Sequence, residues 1–183
     1  MRLIVTRHGE TDFNLAGRFC GVSDVPLNAT GLSQACELAA RLRGMHIDEA
    51  VSSPMLRARQ TSDIVCAELG LRYRINEQFT ERNLGVLEGL TRDEINERYP
   101  GCIERYYSGY ADDGLDGGES LRHFCGRIDG ALAKLNSEYK DKTVLLICHG
   151  VAARAINRYC KKLSFTEMMG FTLKNCDIVI YDI

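Results

Sequence analysis

The sequence is poor in the features that mark several classes of protein. It has only 3 prolines beside 17 glycines in 183 residues, too few for a linker-like chain. Its hydrophobic fraction of 45% is too high for intrinsic disorder. No charge of one sign dominates: 23 Lys and Arg stand against 25 Asp and Glu, a net of −2 with histidines neutral. That balance supplies no broad field for gripping nucleic acid or an anionic membrane, and neither is expected as a partner. Any anion must be held locally, by a few placed cations. No apolar run approaches the roughly 20 residues of a membrane-spanning helix, and Leu3-Ile4-Val5 gives way to Arg7 too soon for a secretory signal. Of the 8 cysteines, none forms a C-x-x-C pair or a close cluster. They read as reduced, mostly buried thiols, neither a disulfide framework nor a zinc site. The expectation is a soluble, cytoplasmic chain long enough for one well-packed domain.

Short apolar segments alternate with longer amphipathic ones. Residues 2–6 and 143–148 are continuously apolar, as buried parallel strands are. Weaker strand candidates cover 47–52, 71–75 and 177–181. Between them, Leu32, Ala35, Ala39 and Leu42 recur at helical steps after Gly31, with Gly44 as a stop. Ser53 and Pro54 predict an N-cap and first helical position ahead of Ala58, Val65 and Leu69. Thr91 and Glu94 predict a capping box for a short helix that Pro100 ends. The longest helix is predicted over 120–139, with Leu121, Phe124, Cys125, Ile128, Leu132, Leu135 and Tyr139 on one face. Another follows Gly150. This alternation predicts a three-layer α/β/α domain on a mostly parallel sheet, spanning 1–183 as one unit. The least regular stretch, 106–118, reads as an acidic surface loop in preference to a lid.

Two of the four histidines stand in matching contexts: Val5-Thr6-Arg7-His8-Gly9 and Ile147-Cys148-His149-Gly150. Each ends an apolar strand and precedes a glycine. Ligands of parallel α/β sheets bind beyond the carboxyl ends of strands, so the two histidines converge if their strands are neighbours. Arg7 adds a cation beside His8, and Arg57 adds another in the first turn of the helix after Ser53-Pro54. Guanidinium forks and helix N-termini both favour phosphate. His46 and His123 read as ordinary polar residues. A binuclear metal hydrolase is the chemical rival, but no H-x-H or H-x-x-x-H spacing occurs and the arginines would repel cations.

Arg7-His8-Gly9-Glu10-Thr11 after an N-terminal strand resembles the signature of the histidine phosphatase superfamily, the phosphoglycerate mutase-like proteins. The resemblance continues in order along the chain. It takes in Asn14 with Gly17-Arg18-Phe19-Cys20-Gly21, Asp24-Val25-Pro26-Leu27-Asn28, and the run from Ser52 to Thr61. It then takes in Thr80-Glu81-Arg82-Asn83-Leu84-Gly85 with Glu88-Gly89, Gly118-Glu119-Ser120, and Cys148-His149-Gly150. It implies a phosphoglycerate mutase-like fold with a small inserted cap, roughly 82–118. His8 would be the nucleophile that forms a phosphohistidine. Arg7, Arg57 and His149 would neutralise the phosphoryl oxygens. Asn14, Gly21 and Gly150 would complete the pocket, Arg82 would match a substrate position, and Glu81 would be the general acid and then base. Glu10, Glu88 and Arg154 match recurrent positions and are expected to hydrogen-bond or cap. No metal or cofactor is implied.

The expected function is hydrolysis of a small phosphorylated metabolite by a metal-independent phosphatase. The short length and Gly-Gly-Glu-Ser segment look most like α-ribazole and broad-specificity phosphatases of the family. The alternative is mutase-type phosphoryl transfer; it would need a second phosphate, which Asp112, Asp113 and Asp116 would disfavour by repulsion. A phospho-ligand binding module is less favoured, because nucleophile, second histidine and acid are all present. Tyr106, Tyr107 and Tyr110 are read as packing residues before any stacking role. Substrate and oligomeric state are left open.

Overall fold

The computed structural model describes residues 1–108, 112, 114 and 116–183. In chain order the elements are β1 (Arg2–Arg7), α1 (Asp12–Leu15), α2 (Ala29–Leu42), β2 (Glu49–Ser52), α3 (Leu56–Leu69) and β3 (Tyr73–Ile75). Two 3-10 turns follow (Glu77–Phe79 and Gly85–Leu87), then α4 (Arg92–Arg98), α5 (Cys102–Tyr107), α6 (Leu121–Glu138), β4 (Thr143–Cys148), α7 (Gly150–Lys161), α8 (Phe165–Met168) and β5 (Ile178–Asp182). The sheet order is β3-β2-β4-β1-β5. Four strands run parallel, and β5 joins the edge antiparallel to β1.

Period-two alternation assigns the faces. Leu3, Val5, Val144 and Leu146 pack into one core with Phe124, Ile128 and Leu132 of α6 and Ile156 of α7. Ile4, Leu145 and Ile147 pack into the other with Leu38 and Leu42 of α2 and Val65 of α3. β1 and β4 are buried on both faces, which is why they read as unbroken apolar runs. A third, smaller cluster joins Leu84, Leu87, Ile95, Cys102, Ile103 and Tyr106. It gives the segment between β3 and α6 a core of its own.

Several boundaries differ from the sequence reading. β2 begins at Glu49 and β3 at Tyr73, leaving Ile47 and Leu71 outside the ladders. On α2, Leu32 is exposed and the buried stripe is Gly31, Ala35, Leu38, Ala39 and Leu42. Ser53 is not an N-cap and Pro54 is not helical. Met55 takes the cap position without a side-chain bond, and Asp24 Oδ1 accepts the Leu56 N–H from another loop at 2.6 Å. The capping box of Thr91 and Glu94 is formed, and α4 ends at Arg98, two residues short of Pro100. Ser120 caps α6 as expected. The short helices α1, α5 and α8 had no periodic signal, since four to six residues complete at most one repeat. All eight cysteines are free, and Cys66, Cys102, Cys125, Cys148 and Cys176 are buried. Among the described residues, no helix is long and apolar enough to cross a membrane.

The loop that leaves β1 lies directly on the start of α2. A Cβ at Gly9 would overlap the Gly31 carbonyl, and one at Gly31 would overlap the Glu10 carbonyl. Asn28 fastens the same contact, its amide donating to Glu10 Oε1 at 3.0 Å while its oxygen caps Gly31 N–H. Helix propensity alone would favour Gly31→Ala by about 1 kcal/mol. The overlap is with backbone, which cannot rotate away, so overpacking at about 1–3 kcal/mol wins. With a backbone approach this close the upper end applies, and Gly31→Ala is expected to lose about 2 kcal/mol in urea unfolding; unchanged or raised stability would show that the two loops are free to separate.

Candidate active site

Parallel pairing brings the two histidines together. Arg7 and Cys148 are partners at the carboxyl ends of β1 and β4, so His8 and His149 leave adjacent strands at the same level. Their rings lie 5.2 Å apart, centroid to centroid, tilted by 56°. Both are buried.

Hydrogen bonds assign their tautomers. His8 Nδ1 lies 2.7 Å from the Gly9 carbonyl, an acceptor only, so Nδ1 carries the proton and Nε2 keeps its lone pair. Arg57 Nε points at that lone pair from 3.2 Å. For His149, Nε2 lies 2.6 Å from Ser53 Oγ. The hydroxyl already receives the Met55 N–H, at 3.4 Å, and its own proton is free to donate. Nδ1 of His149 is buried without a hydrogen-bond partner. Burial, reinforced by Arg57 and Arg7, holds the His8 imidazole well below its ordinary value. Burial, Arg57 and His8 do the same to His149. Both rings are therefore neutral near pH 7.

The cations are held by backbone carbonyls, not by acids. Arg57, with no exposed surface, gives its terminal nitrogens to Ser23 and Gly21 carbonyls, both at 2.8 Å. Arg7 reaches the Leu173 carbonyl at 3.3 Å, and its buried Nε has no partner. Glu81 caps α7: its oxygens accept Val151 N–H at 2.9 Å and Ala152 N–H at 3.1 Å. A cavity of about 140 Å³ opens among Arg7, His8, Asn14, Glu81, Gly150 and Arg154. A larger one, about 370 Å³, lies beside β3 and α6 near Arg74 and Lys134, without a histidine or cysteine in its wall. Of these two cavities, the smaller is the one with a histidine, His8, in its wall.

Other expected residues are placed as follows. Asn14 lines the cavity, its oxygen taken by Thr11 N–H and the Asn175 amide, both at 3.2 Å. Gly150 opens α7 against the Arg7 guanidinium. Gly21 is outside the cavity wall, where its carbonyl steadies Arg57. Arg82 does not line the cavity either; its buried side chain donates from Nε to the Glu119 carbonyl at 2.8 Å. Glu10 receives Asn28, and Glu88 collects N–H groups of Val22, Ser23 and Leu84. Arg154 does not only hydrogen-bond, as expected; it also faces the cavity. His46 and His123 pair with Asp48 and Glu119 on the surface. Asp112 is tied to Arg122, so its repulsion toward a phosphate is cancelled locally, while Tyr110 and Asp113 lie outside the described residues. Among the described residues, no group of three His, Cys, Asp or Glu could hold a metal ion.

Three residues escaped the sequence reading: Ser53, Thr61 and Asn175. Thr61 Oγ1 accepts Gly9 N–H at 3.0 Å and donates to the Arg57 carbonyl, joining the loop after β1 to the first turn of α3. Its place and that of Ser53 within the Arg57 motif were the available signal. Asn175 holds the His8 carbonyl at 2.9 Å from an irregular stretch with no pattern of its own.

Residues 3–183 match the Histidine phosphatase superfamily (branch 1). The chain belongs to that family. It is 37% identical to the uncharacterized phosphatase PhoE of Bacillus subtilis (strain 168) over 83% of this chain and 73% of PhoE. It is 30% identical to the probable phosphoglycerate mutase GpmB of Salmonella choleraesuis (strain SC-B67), over 97% of this chain and 83% of that one. Among solved structures, a mycobacterial glucosyl-3-phosphoglycerate phosphatase complexed with VO3 superposes with a TM-score of 0.90. It is 28% identical, with 98% of this chain and 90% of that one covered. The phosphoglycerate mutase-like fold of the family is the one seen here.

The two buried neutral histidines set a pH dependence of stability. Their folded pKa values lie below the unfolded 6.5, so their contribution is complete above pH 6.5 and is lost as pH falls. Each histidine is expected to cost about 1.4 kcal/mol per pH unit below 6.5. In denaturant titrations at pH 6.5 and 5.5, His8→Asn should reduce the fall by about 1 kcal/mol; an undiminished fall would mean His8 titrates alike in both states.

Proposed function

We propose that this protein hydrolyses phosphomonoesters of small metabolites through a covalent phosphohistidine on His8. One observation carries the reading. His8, its Nδ1 fixed on the Gly9 carbonyl, shares the wall of a small cavity with Arg7 and Arg154, and two buried nitrogens of this cluster, Arg7 Nε and His149 Nδ1, have no hydrogen-bond partner among the described residues. A phosphoryl group supplies what those nitrogens lack.

In this reading His8 Nε2 attacks phosphorus in line with the ester oxygen. The N–P bond forms as the P–O bond breaks, while the Gly9 carbonyl stabilises the positive charge growing on the ring through Nδ1–H. Arg7, Arg57 and His149 balance the equatorial oxygens. Glu81, in the same cavity wall, gives its proton to the departing alkoxide. The resulting carboxylate then takes a proton from water, whose oxygen attacks phosphorus and releases inorganic phosphate. Ester plus water becomes alcohol plus phosphate, and the enzyme is returned unchanged. The thiol of Cys20, also in the cavity wall, is pushed up by burial and is no rival nucleophile.

The mutase reading is favoured by the similarity to GpmB and loses an objection now that Asp112 is tied to Arg122. Against it stands the small cavity, about 140 Å³, in which a second phosphate must share space with the first.

Rapid-quench turnover is expected to trap an acid-labile, alkali-stable phosphoenzyme, absent in His8→Ala. Glu81→Gln should slow alkyl phosphates by about 10²–10⁴-fold and aryl phosphates far less, because aryl oxides leave without a proton. Equal slowing of both would remove the acid role. Full activity is expected in excess chelator; a loss restored by a divalent ion would instead bring a metal into the reaction.

A further inference from the structure

The direction of β5 matters beyond pairing. An antiparallel strand begins where its neighbour finishes, whereas a parallel strand begins at the opposite end. The segment entering β5 therefore arrives at the carboxyl end of β1, where Arg7 and His8 stand. There it grips β1. The Leu173 carbonyl accepts from Arg7 Nη1 at 3.3 Å. Cys176 N–H donates to the Arg7 carbonyl at 2.9 Å, beside an isolated bridge between Arg7 and Asn175. Cys176 then turns the chain away in the left-handed region, at φ 56°. A non-glycine residue adopts that conformation at a cost, and keeps it only where its surroundings hold it.

Asn175 gives one NH2 group to two partners: the His8 carbonyl at 2.9 Å and Asn14 Oδ1 at 3.2 Å. Chemistry fixes both amide orientations. The His8 carbonyl can only accept, so the Asn175 nitrogen faces it. Thr11 N–H can only donate, so the Asn14 atom it meets at 3.2 Å is the oxygen. The Asn14 oxygen thus receives two donors. Its own NH2 meets no acceptor among the described residues, although Asn14 lines the cavity beside Arg7 and His8. Asn175 itself is not in that cavity wall.

Local structure alone does not place Asn14. Its helix α1 has four residues, too short to hold itself. The capping bonds with Thr11 orient the amide only within that turn. The Asn175 amide is what ties the turn to the residue at the end of β1.

We propose that Asn175 is a positioning residue for the anion site: by bridging the His8 carbonyl and Asn14 Oδ1, it aims the Asn14 NH2 at a phosphoryl group bound beside His8. The inference rests on the phosphomonoester reading and adds a residue that acts on the substrate only through Asn14. A hydrogen bond to a charged group is worth more than a neutral one and weakens steeply when misaimed, so the aim sets its strength.

Inorganic phosphate is titrated by calorimetry into the unsubstituted enzyme, Asn14→Ala, Asn175→Leu and the double variant. Each single substitution is expected to weaken phosphate about tenfold, the loss of one hydrogen bond to a charged group. The double variant should lose little more than either single, where independent effects would multiply to about a hundredfold. Side-chain amide signals in heteronuclear NMR give a readout that general loosening does not move. The Asn14 pair, identified by its absence in Asn14→Ala, should shift when phosphate binds, and that shift should collapse in Asn175→Leu. Asn175→Ala, smaller and equally uncharged, carries the same measurements if the Leu variant does not fold. Three results overturn the positioning role and leave the phosphomonoester reading standing: effects that multiply, an unchanged phosphate affinity in Asn175→Leu, or an Asn14 signal that shifts equally in both proteins. If phosphate does not bind and the unsubstituted enzyme leaves p-nitrophenyl phosphate intact, the phosphomonoester reading falls and takes the role of Asn175 with it.

Discussion

Arg57 is a full positive charge with no solvent exposure and no carboxylate partner among the described residues. Burying such a charge costs several kcal/mol, which the Gly21 and Ser23 carbonyl dipoles offset only in part. Its neighbours follow from it. Burial first, and then the like charges of Arg57 and Arg7, keep His8 and His149 neutral. The charge proposed to receive an anion thus adds to burial in keeping the proposed nucleophile unprotonated.

The packing around the site is economical in its use of elements. β1 and β4 are neighbours, so register alone sets the histidines level. The first turn of α7 is used twice: its N–H groups fix Glu81, and its next turn presents Arg154. α3 lacks a side-chain cap of its own because Ser53, the residue suited to it, is turned to His149. Asp24 closes the gap from another loop and thereby ties residues 21–24, whose carbonyls hold Arg57, to the helix that carries Arg57.

The sequence was most legible where a pattern was long or locally determined. The buried strands β1 and β4, the long helix α6 with its Ser120 cap, and the capping box at Thr91 all announce themselves within a few residues. The paired strand-end histidines carried most of the site for the same reason. The misreadings arose where a residue was claimed by a distant partner. Ser53 has every local mark of a cap, and only the fold reveals that His149 takes it. Arg82 has the look of a phosphate ligand, but its Nε is turned to the Glu119 carbonyl. Asn175 had no local mark at all, since its function depends on an isolated bridge to Arg7.

Leu84 and Tyr106, which close one side of the cavity, belong neither to the sheet nor to its flanking helices; they are anchored in the third apolar cluster. The strands β1 and β4, which end at His8 and His149, are anchored in the two main cores. Substitutions that reshape the third cluster can drift without loosening the strands that aim the histidines, because the two sets share few buried neighbours. The molecule is thereby divided into a part that inheritance must keep and a part it is free to rewrite. On the proposed reading, one wall of the site can be remodelled for a new substrate while the strand-end histidines stay in place.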